Sequence, residues 1–559
     1  MKHYKSAIIV FVMVMACANQ GFPPGGPEDK TPPYVLRSFP PADSTQVPRD
    51  VRVQITFSEA VVPRTVEESI FITPFSGDKA RFRWRNDRVL TVMFADSLLA
   101  DRTYVVTIGS GAKDRRNNMM KQSYTLAFST GATLDRGEIR GVVYGETTAG
   151  AQVWAYDLKE TPNPNPAERH PLYITQAGKD GGYHLTNLSL GEYRLFAVMD
   201  RNVNNRYDAE FDLLGVAHRD VRLDSIALRD EPLNFRITLR DTTAPRLEAA
   251  SAPDNRHVDL RFSEPMQPER MTDVANFTAF SADDTLIIEN ASVDLFNRST
   301  VHLATSAQTG GHDYAVIVHQ GADQSGLPLL HANRAAFTGS AVPDTVKPRY
   351  LTMVPKDSSK FVAADAPLTF HFSKAMQPET IRTMTVADTL GDTVRGTITW
   401  GDQTQFVFTP QTPYKKETFY LVTLPVDSVF DLSGNTLADT LFRRQFTTVN
   451  PDTLAAIAGP LRDSDSTAAG AFFLKARSVR QKEPLIYDLK VEREGRFAFE
   501  KMMPGSYVIE LFRDRDGDGA FSWGEAFPYR PAERFYALPD TIEIRSRWPS
   551  DGEEIILPR

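Results

Sequence analysis

One frame recurs three times and limits most tightly what this chain can fold into: Phe57-Ser58-Glu59-Ala60-Val61-Val62-Pro63, Phe262-Ser263-Glu264-Pro265-Met266-Gln267-Pro268 and Phe372-Ser373-Lys374-Ala375-Met376-Gln377-Pro378. Proline stands six places after the phenylalanine each time, and an apolar residue nine places after it: Val66, Met271 and Ile381. Ahead of each Phe the chain alternates, as in Val51, Val53, Ile55 and Phe57 against Arg52, Gln54 and Thr56. A period of two is that of a half-buried strand, because successive side chains point to opposite faces. Ser and Pro are then predicted to start a helical turn, proline being pre-set for the first helical position. About 50 residues on, each copy has a second alternating strand with a tyrosine (Tyr104, Tyr314, Tyr420). An Asp-containing turn follows (Asp114, Asp323, Asp431), then a closing strand with Phe128, Phe337 or Phe446. Units of roughly 100 residues built from short strands predict β-sandwiches.

A second repeat occurs twice. Tyr183, Leu185, Leu188, Gly191, Tyr193 and Asp200 superpose without a gap on Phe497, Phe499, Met502, Gly505, Tyr507 and Asp514. The threefold unit, with its lead-in Pro32-Pro33, its Phe-Ser-Glu strand end, its Tyr strand and Asp-Leu-Ser-Gly-Asn at 431–435, resembles bacterial Ig-like domains of the S-layer-protein type. The twofold unit resembles carboxypeptidase-regulatory-like and collagen-adhesin B-type domains, which are prealbumin-like spacers and binding modules. These resemblances imply an all-β chain of tandem Ig-like and prealbumin-like β-sandwiches behind a lipoprotein signal peptide. The expected order is signal peptide 1–16, lipid-anchored tether 17–33, Ig-like domain 34–133, spacer domain 136–240, Ig-like domains 242–341 and 343–449, and a second spacer domain 453–559. The whole is similar to Ig-like-domain lipoproteins of gliding and gut-type diderm bacteria.

Lys2, His3 and Lys5 precede an apolar run from Ala7 to Ala16, and then comes the one cysteine of the chain, Cys17. That is the signal-peptide order of charge, apolar core and small residue before the cut. Ten apolar residues are too few for a membrane span, which needs about 20 as a helix. Val14-Met15-Ala16-Cys17 resembles a lipobox, which implies acylation of Cys17. Two or more acyl chains anchor stably where one does not. Ala18, rather than Asp, after the cysteine implies the outer membrane by resemblance to diderm lipoproteins; either face of that membrane fits. A secreted chain with a single Cys has no disulfide framework, so its domains must rely on their own cores.

A net charge of −8 argues against nucleic acid, which calls for a basic face. Arg81-Phe82-Arg83-Trp84-Arg85 interleaves basic and aromatic residues, but in a strand the two kinds face opposite sides, so Phe82 and Trp84 are expected in the core. Trp154 and Tyr156 are likewise expected to be core residues. The ten histidines form no metal-protease motif, no G-x-S-x-G elbow occurs, and Ser76-Gly-Asp-Lys79 and Ser110-Gly-Ala-Lys113 are loose matches to S-x-x-K. The chain is therefore read as no enzyme. Asp-Ser/Thr-apolar tripeptides recur, among them Asp388-Thr389-Leu390 and Asp439-Thr440-Leu441. Turn-to-strand chemistry explains such a tripeptide, and it also resembles an O-glycosylation acceptor of some diderm bacteria.

The sharpest candidate site is for calcium. Asp514, Asp516 and Asp518 fall at positions one, three and five of a loop, with Gly519 at six, the Ala520 carbonyl at seven, Ser522 at nine and Glu525 at twelve. That is the EF-hand ligand schedule, although Tyr507–Phe512 reads as an entering strand and not a helix. The matching loop of the first spacer offers Asp200, Asn202, Asn204, Asp208 and Glu210, a weaker set with amides in place of two aspartates. The function expected is that of a non-catalytic envelope lipoprotein, a structural or binding β-rod that meets the membrane through its lipid and an unknown protein or glycan through its loops. An accessory subunit of an uptake, secretion or motility machine is the alternative; a surface hydrolase with Ig spacers would need a catalytic segment, and none is left over.

Overall fold

The computed structural model describes residues 29–74, 80–225, 228, 231–331, 333–381, 384–479, 481, 484–548 and 550–559. Cys17, the signal segment and Ser76–Lys79 lie outside these residues. The chain is all-β, its helices among the described residues being single turns. It forms two compact units. One comprises the residues up to Asp208, Asp212–Thr238 and Gly524–Ala532; the other comprises Ala209–Phe211, Leu239–Trp523 and Glu533–Arg559.

The first unit holds two separate hydrophobic cores, one from Val47 to Phe128 and one from Ile139 to Ile237. Around the former, Val35–Phe39, Arg52–Phe57, Val89–Met93 and Arg81–Arg85 form one sheet in that order, and Ile70–Thr73, Thr103–Ile108 and Tyr124–Ser129 the facing one. Val53, Ile55 and Phe57 are fully buried while Arg52 and Gln54 are exposed, so the period-two reading holds at each position. Arg81–Arg85 alternates as expected: the arginines are exposed, and Phe82 and Trp84 pack on the core.

The strand Gln152–Asp157 is buried on both faces: Val153 and Ala155 belong to the sandwich core, and Trp154 and Tyr156 are buried as well, as expected of core residues. The two aromatics lie on the other face, where Tyr156 meets Phe196 edge to face at 5.8 Å and Trp154 donates to Gln152 Oε1 at 2.7 Å.

The second unit has three cores, spanning Leu247–Phe337, Met353–Phe446 and Ala455–Leu557. The first two repeat the Ig-like plan as pairs of four-stranded sheets; the last has Ala455–Asp463 and Gly495–Met502 in one sheet and Ala471–Ser478 and Gly505–Asp514 in the other.

The three Ig-like copies agree at the motif tyrosine, proline and serine. Tyr104, Tyr314 and Tyr420 are buried, and each hydroxyl accepts from the backbone N–H five residues earlier, at 2.8, 3.2 and 2.8 Å. Each ring stacks on the closing-strand Phe at 5.3–5.9 Å. Proline opens a helical turn in all three, at Pro63, Pro268 and Pro378, and Val66, Met271 and Ile381 drop from it into the core. Serine does not start that turn, contrary to expectation: the turns begin at the proline, with Val62 and Gln267 at the two N-caps and without a side-chain bond. Ser58, Ser263 and Ser373 instead accept, through Oγ, the N–H of Tyr34, Arg246 and Arg349, while their own N–H donates back to the same residues' carbonyls. The serine therefore ties the lead-in segment to the strand end.

Candidate metal centre

The loop after Gly505–Asp514 is built by turns that need left-handed backbone. Gly517 and Gly519 have φ of 81° and 79°, which glycine adopts without a Cβ clash. Asp514 is buried and gathers the loop: Oδ1 accepts from Gly517 N at 2.7 Å and Oδ2 from Gly519 N at 3.1 Å. Asp516, exposed, accepts from the Ser522 hydroxyl at 2.7 Å, which holds its carboxyl below the ordinary value. Asp518 and Ala520 are exposed, joined by a bond from Ala520 N to Asp518 Oδ1.

Glu525 closes a different turn. Its backbone pairs both ways with Arg530, and its carboxylate lies 3.5 Å from the Arg530 guanidinium. The acid that meets Asp514 and Asp516 is Glu533: one oxygen of each of the three lies within 4.8 Å of the others. Glu533 is 2% exposed and receives Arg515 N and Ser522 N, at 2.5 and 3.1 Å. Burial pushes its carboxyl up, and Asp516 and Asp514 push it further. Three converging carboxylate oxygens beside a hydroxyl form a hard-oxygen set of the kind calcium takes.

The loop of the first spacer follows the same plan. Asp200 accepts from Asn204 N and Asn205 N, and the closing acid is Asp212, fully buried, which receives Arg201 N and Asp208 N at 2.9 Å each. Burial raises the Asp200 carboxyl and Asp212 raises it further. Asn202, Asn204 and Glu210 are exposed, and Asp208 is half-buried. Sequence reading missed both Glu533 and Asp212. The available signal was an acid directly ahead of a returning apolar stretch, Glu533-Arg534-Phe535 and Asp212-Leu213-Leu214.

Two histidines lie among polar neighbours in the second Ig-like sandwich. His302 sits between Asp259 and Asp294, at 2.7 and 3.3 Å, and Thr278 Oγ1 meets His319 Nε2 at an exposed position.

Among solved structures the chain is similar to domains 1–6 of the surface layer protein SbsC, with 10% identity over 92% of this chain and 68% of that one, TM-score 0.17. It is similar also to the N-terminal part of SbsC, with 15% identity over 36% of this chain, TM-score 0.16, and spans 44% of that structure's length. A third is the Bacteroides ovatus mixed-linkage glucan utilization locus protein SGBP-B in complex with a mixed-linkage heptasaccharide, with 11% identity over 66% and 85% of the two chains, TM-score 0.18. No curated protein matches the sequence. The family model for the bacterial Ig-like domain matches residues 29–130 and 344–448.

Proposed function

We propose that this protein is a non-catalytic envelope lipoprotein, lipid-anchored at Cys17 in the outer membrane, whose sandwiches serve a structural or binding role toward a protein or glycan. What supports the reading is the use made of its conspicuous side chains: the motif tyrosines, serines and aspartates hold strands and turns together. Cys17 follows a lipobox-like stretch, and a lipid-held chain of sandwiches suits display of loops rather than turnover of substrate. Crosslinking in intact cells of the native host, followed by purification, is the test. Recovery of one envelope protein or polysaccharide in near-stoichiometric amount is expected; recovery of none sinks the binding role.

The last loop is proposed to hold a structural calcium ion through Asp514, Asp516, Asp518, the Ala520 carbonyl and Ser522, with Glu533 in the place assigned by spacing to Glu525. Calorimetry separates these acids. Asp516→Ala and Glu533→Gln should each weaken calcium binding by tenfold or more, at about 1.4 kcal/mol per decade, and Glu525→Gln should leave it unchanged. The opposite ranking of the two glutamates would restore the contiguous-loop ligand set. The corresponding first-spacer loop, with Asp200 and Asp212 as its buried acids, is expected to bind more weakly because it offers fewer carboxylates.

A further inference from the structure

Each Ig-like copy places three side chains at one spot: an aspartate six residues ahead of the first strand, the residue after the motif serine, and the turn aspartate. In the second copy these are Asp241, Glu264 and Asp323, with one carboxylate oxygen of each within 4.8 Å of the others. In the third copy they are Asp344, Lys374 and Asp431, where the Lys374 ammonium pairs with Asp344 and lies 3.2 Å from Asp431 Oδ2. The lysine marks where positive charge belongs in this arrangement.

The second copy lacks both of the third copy's donors at this spot, although the Arg246 guanidinium acts on Glu264 from nearby. Glu264 replaces the lysine, and Leu327 stands where Asn435 gives its amide to Asp431 Oδ2 in the third copy. Asp323 is 1% exposed; its Oδ1 accepts from Leu327 N, but its Oδ2, buried, has no hydrogen-bond partner. A buried oxygen without a donor is costly, and two further carboxylates beside it add repulsion. The linker Asp241 is held nearby by Thr243 N and Ser325 Oγ. The first copy assembles the same trio, Asp29, Glu59 and Asp114, but there Asn118 satisfies Asp114 Oδ2.

We propose that Asp241, Glu264 and Asp323 bind a divalent cation of the calcium class, which fastens the lead-in segment 240–245 to the second Ig-like sandwich as Lys374 fastens 341–348 to the third. Hard oxygen ligands without nitrogen or sulfur favour calcium over transition metals.

Limited proteolysis of residues 18–559 tests this, read at the two lead-in segments and carried out with Asp516→Ala in place so that the C-terminal loop does not contribute. If cleavage needs the segment to open and release its ion, calcium at about 100 times its dissociation constant should slow cutting within 240–245 roughly 100-fold relative to chelator. Cutting within 341–348 should be the same in both. Glu264→Lys should protect 240–245 with or without calcium, and Lys374→Glu should make 341–348 calcium-dependent. Equal cutting of 240–245 in calcium and chelator overturns the proposal, whether or not Glu264→Lys folds, and would mean that a proton shared among the carboxylates suffices.

Discussion

Val203 holds its backbone at φ 55°, and its counterpart 314 positions on is Gly517, at 81°. A β-branched residue in left-handed backbone sets Cβ against the following carbonyl, at a cost of about 1–2 kcal/mol. Val203→Gly should therefore stabilise the first spacer by about 1 kcal/mol, after some loss to the greater freedom of glycine when unfolded, read as a higher melting temperature. The strand tyrosines make the reverse case. Tyr104→Phe keeps the stacked ring but orphans the Leu99 N–H, and should cost about 1 kcal/mol. At His302 burial opposes the charged form, but Asp259 and Asp294 outweigh it and raise the imidazole above its ordinary 6.5. A raised folded-state value means that the protonated ring adds stability in full below pH 6.5, and that this is lost as pH rises through the folded value. Melting of the chain followed upward from pH 6.5 should show that decline, and His302→Gln should remove it.

At the scale of strands and turns, the tie between Ser263 and Arg246 gives a simple expectation. Ser263→Ala removes the bond from Arg246 N and should open the start of the strand Leu247–Asp254 at a cost of about 1 kcal/mol, seen as faster amide exchange there. Alternation made such strands legible, because burial follows the period-two pattern directly, as at Val53, Ile55 and Phe57. The role of the serine was not legible: its partner lies 24 residues back in the first copy and 17 in the second, a distance that no local pattern fixes. Glu533 was hidden for the same reason. A ligand schedule counts along one continuous loop, whereas this acid returns from beyond an intervening turn; Glu525, which satisfies the count, pairs with Arg530. Burial of Trp154 and Tyr156 was legible, but not the face they take, because a strand covered on both faces carries no alternation that tells inner from outer.

For the whole molecule the deciding residue lies ahead of every sandwich. Cys17→Ser should move the chain from the membrane fraction to the soluble fraction and abolish labelling by palmitate analogues; persistence of both would refute lipid anchoring. Among the described residues an early strand also runs parallel to a closing one in several sandwiches: Gly137–Tyr144 beside Phe235–Arg236, Ser359–Val362 beside Phe442–Thr448, and Ala455–Asp463 beside Ile555–Leu557. In that geometry a tug that draws the two strands apart along their length strains their shared hydrogen bonds together, in shear, instead of unzipping them one at a time. If the chain is held by lipid at one end and by a partner at the other, as proposed, a pull between them would fall on those hydrogen bonds together.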